Sequence, residues 1–112
     1  MKSASQRDRA TPDLDGFDPV IHAPIRLRLC AALDASDEVE FGAALEILDV
    51  SKSVLSKHVA TLVSAGYVEQ RRAVRDTRQR VWLRLAPAGR IAYRDHVAAL
   101  RAIVRAAPET PR

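Results

Sequence analysis

Cations are the residues whose number and spacing in this chain most suggest chemistry. Between positions 50 and 85 stand Lys52, Lys57, Arg71, Arg72, Arg75, Arg78, Arg80 and Arg84 against Glu69 and Asp76, a local charge of +6, while the rest of the chain carries ten basic and twelve acidic residues. An excess confined to one contiguous third is the footprint of contact with a polyanion; a solvated face that keeps the protein soluble is the plainer alternative. The other reactive types are scattered. His22, His58 and His96 fall on three separate segments with no partner three or four residues away and no neighbouring cysteine, so no metal site is expected. Asp13, Asp15 and Asp18 faintly echo a calcium loop, but Asp18 stands where such a loop needs glycine and no bidentate Glu follows at its twelfth position. Cys30, beside Leu29, reads as a small buried hydrophobe. Asp34, Asp37, Glu38 and Glu40 read as an acidic loop rather than a catalytic pair. With no nucleophile and base at a meaningful spacing and no glycine-rich phosphate loop, neither an enzyme nor a cofactor is expected.

The elements that must carry these cations follow from length and pattern. A chain of 112 residues holds one domain with short extensions, and 47% hydrophobic with 29% charged residues is ordinary globular composition. No apolar run reaches the roughly 18 residues of a membrane span, no apolar stretch follows the charges of the N-terminal residues, and a single cysteine builds no disulfide framework. A soluble, cytoplasmic protein without membrane contact is the expectation. Residues 1–17, rich in Ser, Asp, Arg, Thr and Pro, predict a disordered tail, residues 18–106 the folded domain and residues 107–112 a frayed end.

Within the domain, Asp18-Pro19 is a helix start, and Pro24 breaks a continuous helix there, so a first turn and then a cleaner helix over 24–33 are predicted, with Ile21, Ile25, Leu29 and Leu33 inward. Val39 and Phe41 flank Glu40 in a minimal strand, and Gly42 opens a short helix with Leu45 and Leu48 inward. Residues 51–64 form the most informative helix: Ser51 caps it, Leu55, Val59 and Leu62 repeat on one face, and Ala65-Gly66 stops it. Its opposite face carries the short polar residues Ser53 and Thr61 with Lys57, and Lys52 and Ser56 lie to the side. The period then changes from 3.6 to 2, so 67–74 and 79–85 read as two strands with Val81, Leu83 and Leu85 inward and Arg80, Trp82 and Arg84 outward, joined by residues 75–78. A last helix runs from Pro87 to about Ala106.

Helix, strand, helix, turn, helix, hairpin, helix is the order of a winged helix-turn-helix, a mainly α fold with a small β-hairpin. The physics suits duplex DNA: a major groove about 12 Å wide admits one helix, short side chains let its axis approach the base edges, and hairpin arginines can neutralise phosphates or enter the minor groove. The residues carry a resemblance as well. Asp18-Pro19-Val20-Ile21-His22-Ala23-Pro24-Ile25-Arg26-Leu27, then Val39-Glu40-Phe41, then Leu55-Ser56-Lys57-His58-Val59 with Leu62 and Ala65-Gly66-Tyr67-Val68, and finally Leu85-Ala86-Pro87-Ala88-Gly89-Arg90 resemble the small MarR/ArsR-like winged-helix transcriptional regulators over about residues 18–105. That family's members are typically prokaryotic, cytoplasmic, DNA-binding dimers, so the resemblance implies a transcription regulator. Two departures stand out: Ala86 replaces the usual Thr or Ser cap, and the hairpin tip lacks a glycine.

Lys52, Ser53, Ser56, Lys57 and Thr61 on the helix, with Arg71, Arg75, Arg78 and Arg80 on the hairpin, are therefore the expected contacts to double-stranded DNA. Arg71, Arg72, Arg80 and Arg84 could instead serve cross-strand packing, and Trp82 could stack on an arginine across the hairpin or help bury the final helix. His58 flanks the buried face of its helix and is expected to pack or to bond to backbone. On the last helix Tyr93, Val97, Leu100 and Val104 recur at i, i+4, i+7 and i+11 with Ile103 beside them, a seam for a homodimer. A stripe folded back on the first helix over Ile21 and Ile25 is the alternative. A winged helix used for protein docking is the rival function, disfavoured by the +6 stretch. Any small-molecule effector stays open.

Overall fold

Two prolines set the first bend. The computed structural model describes residues 15–106, so the predicted tail over 1–14, the Asp13 end of the calcium echo and the end at 107–112 lie outside the described residues. Asp18 caps α1 (Pro19–His22), its Oδ1 accepting the Val20 N–H at 2.9 Å. Ala23 is extended (φ −56, ψ 132), as a residue before proline prefers, and Pro24 then opens α2 (Pro24–Asp34) at its first position. The strand expected at 39–41 is shorter: β1 is Val39–Glu40, and Phe41 already belongs to α3 (Phe41–Leu48). Asp49, at φ 55, turns the chain out of α3.

Helix α4 (Lys52–Ser64) begins as predicted, with Ser51 Oγ accepting the Val54 N–H at 3.2 Å. It ends where Gly66 adopts φ 81 and the Tyr67 and Gly66 N–H groups return to the Leu62 and Val63 carbonyls, satisfying the last turn. The hairpin is β2 (Val68–Arg75) and β3 (Arg78–Leu85). Both strands reach one residue nearer the tip than the predicted four-residue connection allows, because the turn is only Asp76-Thr77, at φ 53 and φ 63. Two consecutive positive φ values make the tight turn whose twist matches that of the strands. Asp tolerates this conformation, but a β-branched Thr is strained in it. Strand β1 pairs antiparallel with β3, Val39 opposite Leu83, so the sheet order is β1-β3-β2. The last helix, α5 (Pro87–Ala106), has the predicted extent.

One core joins these elements: Ile21, Leu29, Leu33, Leu48, Leu55, Val59, Leu62, Val68, Leu83 and Leu85, with Ile25, Leu45 and Val81 partly buried against it. Cys30 is part of it, and burial pushes its thiol up to about 12, which keeps it protonated and unreactive.

A polar pin fastens α5 to the start of the domain. His96 is 0% exposed; its Nδ1 accepts the Asp18 backbone N–H at 2.9 Å, so its hydrogen sits on Nε2, which lies 3.2 Å from Nδ1 of His22. Phe17 packs on both rings, 4.8 and 4.9 Å between centroids, and the Tyr67 hydroxyl donates to Asp18 Oδ2 at 2.6 Å. Burial foremost, and His22 next, lower the His96 pKa against the opposing pull of Asp18. An unfolded imidazole takes up its proton near about pH 6.5, whereas folded His96 does so only at lower pH. The unfolded state therefore binds the extra proton first: His96 contributes its full stability above about pH 6.5, and that stability drains away as pH falls toward the folded value. His58, also lowered by burial and by the cations Arg26 and Lys57, acts in the same direction. The melting temperature followed by circular dichroism is expected to fall between about pH 7.5 and about pH 5.5. An unchanged or higher value at the acid end would contradict this account of the pin.

Candidate nucleic-acid interface

Helix α4 turns Leu55, Val59 and Leu62 into the core and leaves Lys52, Ser53, Ser56, Lys57 and Thr61 exposed, as their spacing predicted. Neither lysine has an ion-pair partner among the described residues. Thr61 Oγ1 donates to the Lys57 carbonyl at 3.1 Å, so its lone pairs stay available as acceptors, and Ser53 Oγ lies 3.3 Å from Ser51 Oγ. Behind the helix, His58 is tied to a side chain rather than to backbone: Arg26 Nη1 reaches its Nδ1 at 3.0 Å, while Arg26 Nε donates to the Val20 carbonyl at 2.5 Å. Arg26 thus locks α2 against the flank of α4. A contact across 32 residues has no signature in sequence spacing.

The hairpin sorts its charges by face and by distance from the tip. Pairing puts Glu69 opposite Arg84, Arg71 opposite Trp82, Ala73 opposite Arg80 and Arg75 opposite Arg78. Directly opposed residues share a face, so five arginines lie on the side away from buried Val68, Leu83 and Leu85. Three of them are held. Arg71 grips Glu38 with both arms (Nη2–Oε1 2.6 Å, Nε–Oε2 2.9 Å) and its guanidinium sits 5.7 Å from the Trp82 ring centre, the cross-hairpin stacking expected of that tryptophan. Arg80 Nη1 binds Glu40 Oε2 at 2.5 Å, and Arg84 Nε binds Glu69 Oε1 at 2.8 Å. The Arg71 guanidinium holds the Glu38 carboxyl below the usual carboxylate range. Arg71 and Arg80, both expected to contact DNA, are thus occupied within the fold by acids of the loop that spacing identified. Arg75 and Arg78 are exposed, face each other across the strained turn, and have no acidic partner among the described residues. Like charges directly opposite destabilise a hairpin, so this tip sacrifices stability for two uncompensated cations.

On α5 the line turned inward is Gly89, His96 and Ala99, which the seam of apolar residues did not include. Tyr93, expected in the dimer seam, is partly buried against the core of its own chain. Val97, Leu100 and Ile103 are half-buried, Val104 is 73% exposed, and Ile91 at 63% adds an exposed apolar residue that the seam missed. His22 and His96 meet although they stand on different helices, but no group of three or more His, Cys, Asp or Glu residues able to hold a metal occurs among the described residues. No helix among them is long and apolar enough to cross a membrane.

The sequence matches the family model of the winged helix DNA-binding domain over residues 25–104. No curated protein matches it significantly. Among solved structures, the fold is similar to that of the transcriptional regulator homologue protein from Pyrococcus horikoshii OT3, with TM-score 0.73 and 21% identity over 77% of this chain and 85% of that one. NolR from Sinorhizobium fredii is similar with TM-score 0.64 and 21% identity over 96% and 97% of the two chains. The PcaV transcriptional regulator from Streptomyces coelicolor, solved with its natural ligand, is similar with TM-score 0.68 and 17% identity over 91% and 72%.

Proposed function

This chain belongs to the winged helix DNA-binding domain family, and we propose that it is a sequence-specific transcriptional regulator that binds double-stranded DNA as a cytoplasmic homodimer. The observation that carries this reading is the pairing of an outward polar helix face, Lys52, Ser53, Ser56, Lys57 and Thr61, with a hairpin tip that keeps Arg75 and Arg78 unpaired at a cost to the fold. Helix α4 lies in the major groove, where Lys57 and Ser53 meet base edges. The tip lies on phosphates or in the flanking minor groove. Two copies joined through α5 present two such helices to successive major grooves about 34–36 Å apart.

Two variants test the assignment by fluorescence anisotropy on duplex DNA. Each phosphate neutralised contributes about 0.9 to the slope of log affinity against log salt, so Arg75→Ala with Arg78→Ala is expected to weaken binding to every sequence and to flatten that slope by about one to two per protomer. Lys57→Ala is expected to cost about 1–3 kcal/mol at a selected site and less on random DNA. A slope that stays at the wild-type value removes the tip from the DNA backbone. Equal losses on both duplexes reduce Lys57 to a phosphate contact.

A further inference from the structure

The outer sheet face carries more cations than it offers to a ligand. Arg80 stands two residues from Arg78 along β3, about 7 Å at 3.4 Å per residue, and a duplex held at the tip presents a phosphate every 3.4 Å of axis on each strand. Arg80 is therefore within reach of the same backbone, and Arg71 is the next cation after Arg75 on that face of β2. Both are withheld by the acids that flank Val39, Glu40 holding Arg80 and Glu38 holding Arg71. Carboxylate and phosphate both present anionic oxygens that the guanidinium can bind through one or two N–H groups, so each glutamate occupies a position a phosphate oxygen could take. The exchange is within reach because both pairs are accessible: the Glu38 and Glu40 side chains each retain 26% exposure, Arg71 54% and Arg80 31%. Arg80 Nε, moreover, is a buried donor with no acceptor, so Glu40 leaves part of that guanidinium unsatisfied.

We propose that Glu40 and Glu38 limit the DNA affinity of the wing by competing with phosphate for Arg80 and Arg71. The proposal rests on the DNA-binding reading above. These acids are positioning residues: they touch no ligand and act through the arginines they hold. A merely structural role, pinning β1 to the hairpin, predicts instead that removing their charge lowers the melting temperature and leaves DNA binding alone.

The test is anisotropy on a random-sequence duplex between about 50 and about 200 mM salt, a fourfold range over which each added phosphate contact deepens the loss of affinity about threefold. Glu40→Gln, and independently Glu38→Gln on the more exposed pair, are expected to bind more tightly than wild type at low salt and to steepen the slope by about 0.9 per protomer. Asp37→Asn removes one negative charge from a neighbouring residue that holds no arginine among the described residues, and is expected to keep the wild-type slope. If neither glutamine variant steepens the slope while the wild type binds, or if Asp37→Asn steepens it equally, the competition is refuted and the DNA-binding reading survives. A wild-type chain that binds no duplex overturns both.

Discussion

Gly89→Ala is expected to destabilise the domain by about 3 kcal/mol or more, at the upper end of overpacking costs. A Cβ at this position would stand 2.0 Å from the Tyr67 carbonyl oxygen and 2.7–2.8 Å from its C and Cα atoms. The obstacle is backbone, which cannot rotate aside as a side chain does. That carbonyl is also engaged, accepting the Ala86 N–H at 2.9 Å, so moving it breaks the hydrogen bond that joins the end of β3 to the start of β2. Stability of small domains lies near 5–15 kcal/mol. At about 4–8 °C per kcal/mol the melting temperature should fall by at least about 12 °C. Gly42→Ala is the internal control: nothing lies within 4 Å of its added Cβ, and in a helix alanine gains up to about 1 kcal/mol over glycine. If the two variants melt alike, the close approach of α5 to Tyr67 does not hold the fold.

Leu100→Asp is expected to convert a dimer into a monomer and to lower affinity for a two-half-site duplex by about 100-fold or more, the scale of lost bivalency. Leu100 is half-buried, lies outside the core cluster and borders a shallow apolar depression of about 280 Å³ with Val104 and the stems of Arg101 and Arg105. A carboxylate there must be desolvated to enter an interface, whereas in a monomer it stays in water. The variant's light-scattering mass should halve, and its melting temperature should fall by the stabilisation that dimerisation adds, becoming independent of protein concentration. A wild type that is already monomeric at micromolar concentration, or a variant that remains dimeric, excludes α5 as the interface.

Much of this fold is written in local pattern. The Asp18 and Ser51 caps, the break at Pro24, the stop at Gly66 and the alternation of Val81, Leu83 and Leu85 each depend on neighbours within a few residues, and each stands where its pattern predicts. What sequence withheld is contact across distance. The five arginines on the outer face of the hairpin look equivalent in sequence; the return of Glu38 and Glu40 alongside β3 occupies Arg71 and Arg80, cross-strand Glu69 occupies Arg84, and Arg75 and Arg78 stay free of any acid among the described residues. His22 and His96 show no spacing relation, yet packing α5 on α1 brings them into hydrogen-bond range. The tip is hidden for another reason: Asp76-Thr77 lacks the glycine that advertises a two-residue turn, so pattern alone ends each strand one residue early.

The pin between Asp18 and His96 also orders events during synthesis. Its partners are 78 residues apart, and at about 5–20 residues per second a ribosome delivers the second about 4–16 s after the first. Through that interval α1 waits without its C-terminal fastening. The Arg26–His58 tie, only 32 residues in span, needs no part of α5 and can close before that helix is free to pack. The outward helix can thus be seated against α2 in the nascent chain before the last helix is free to lock the domain shut.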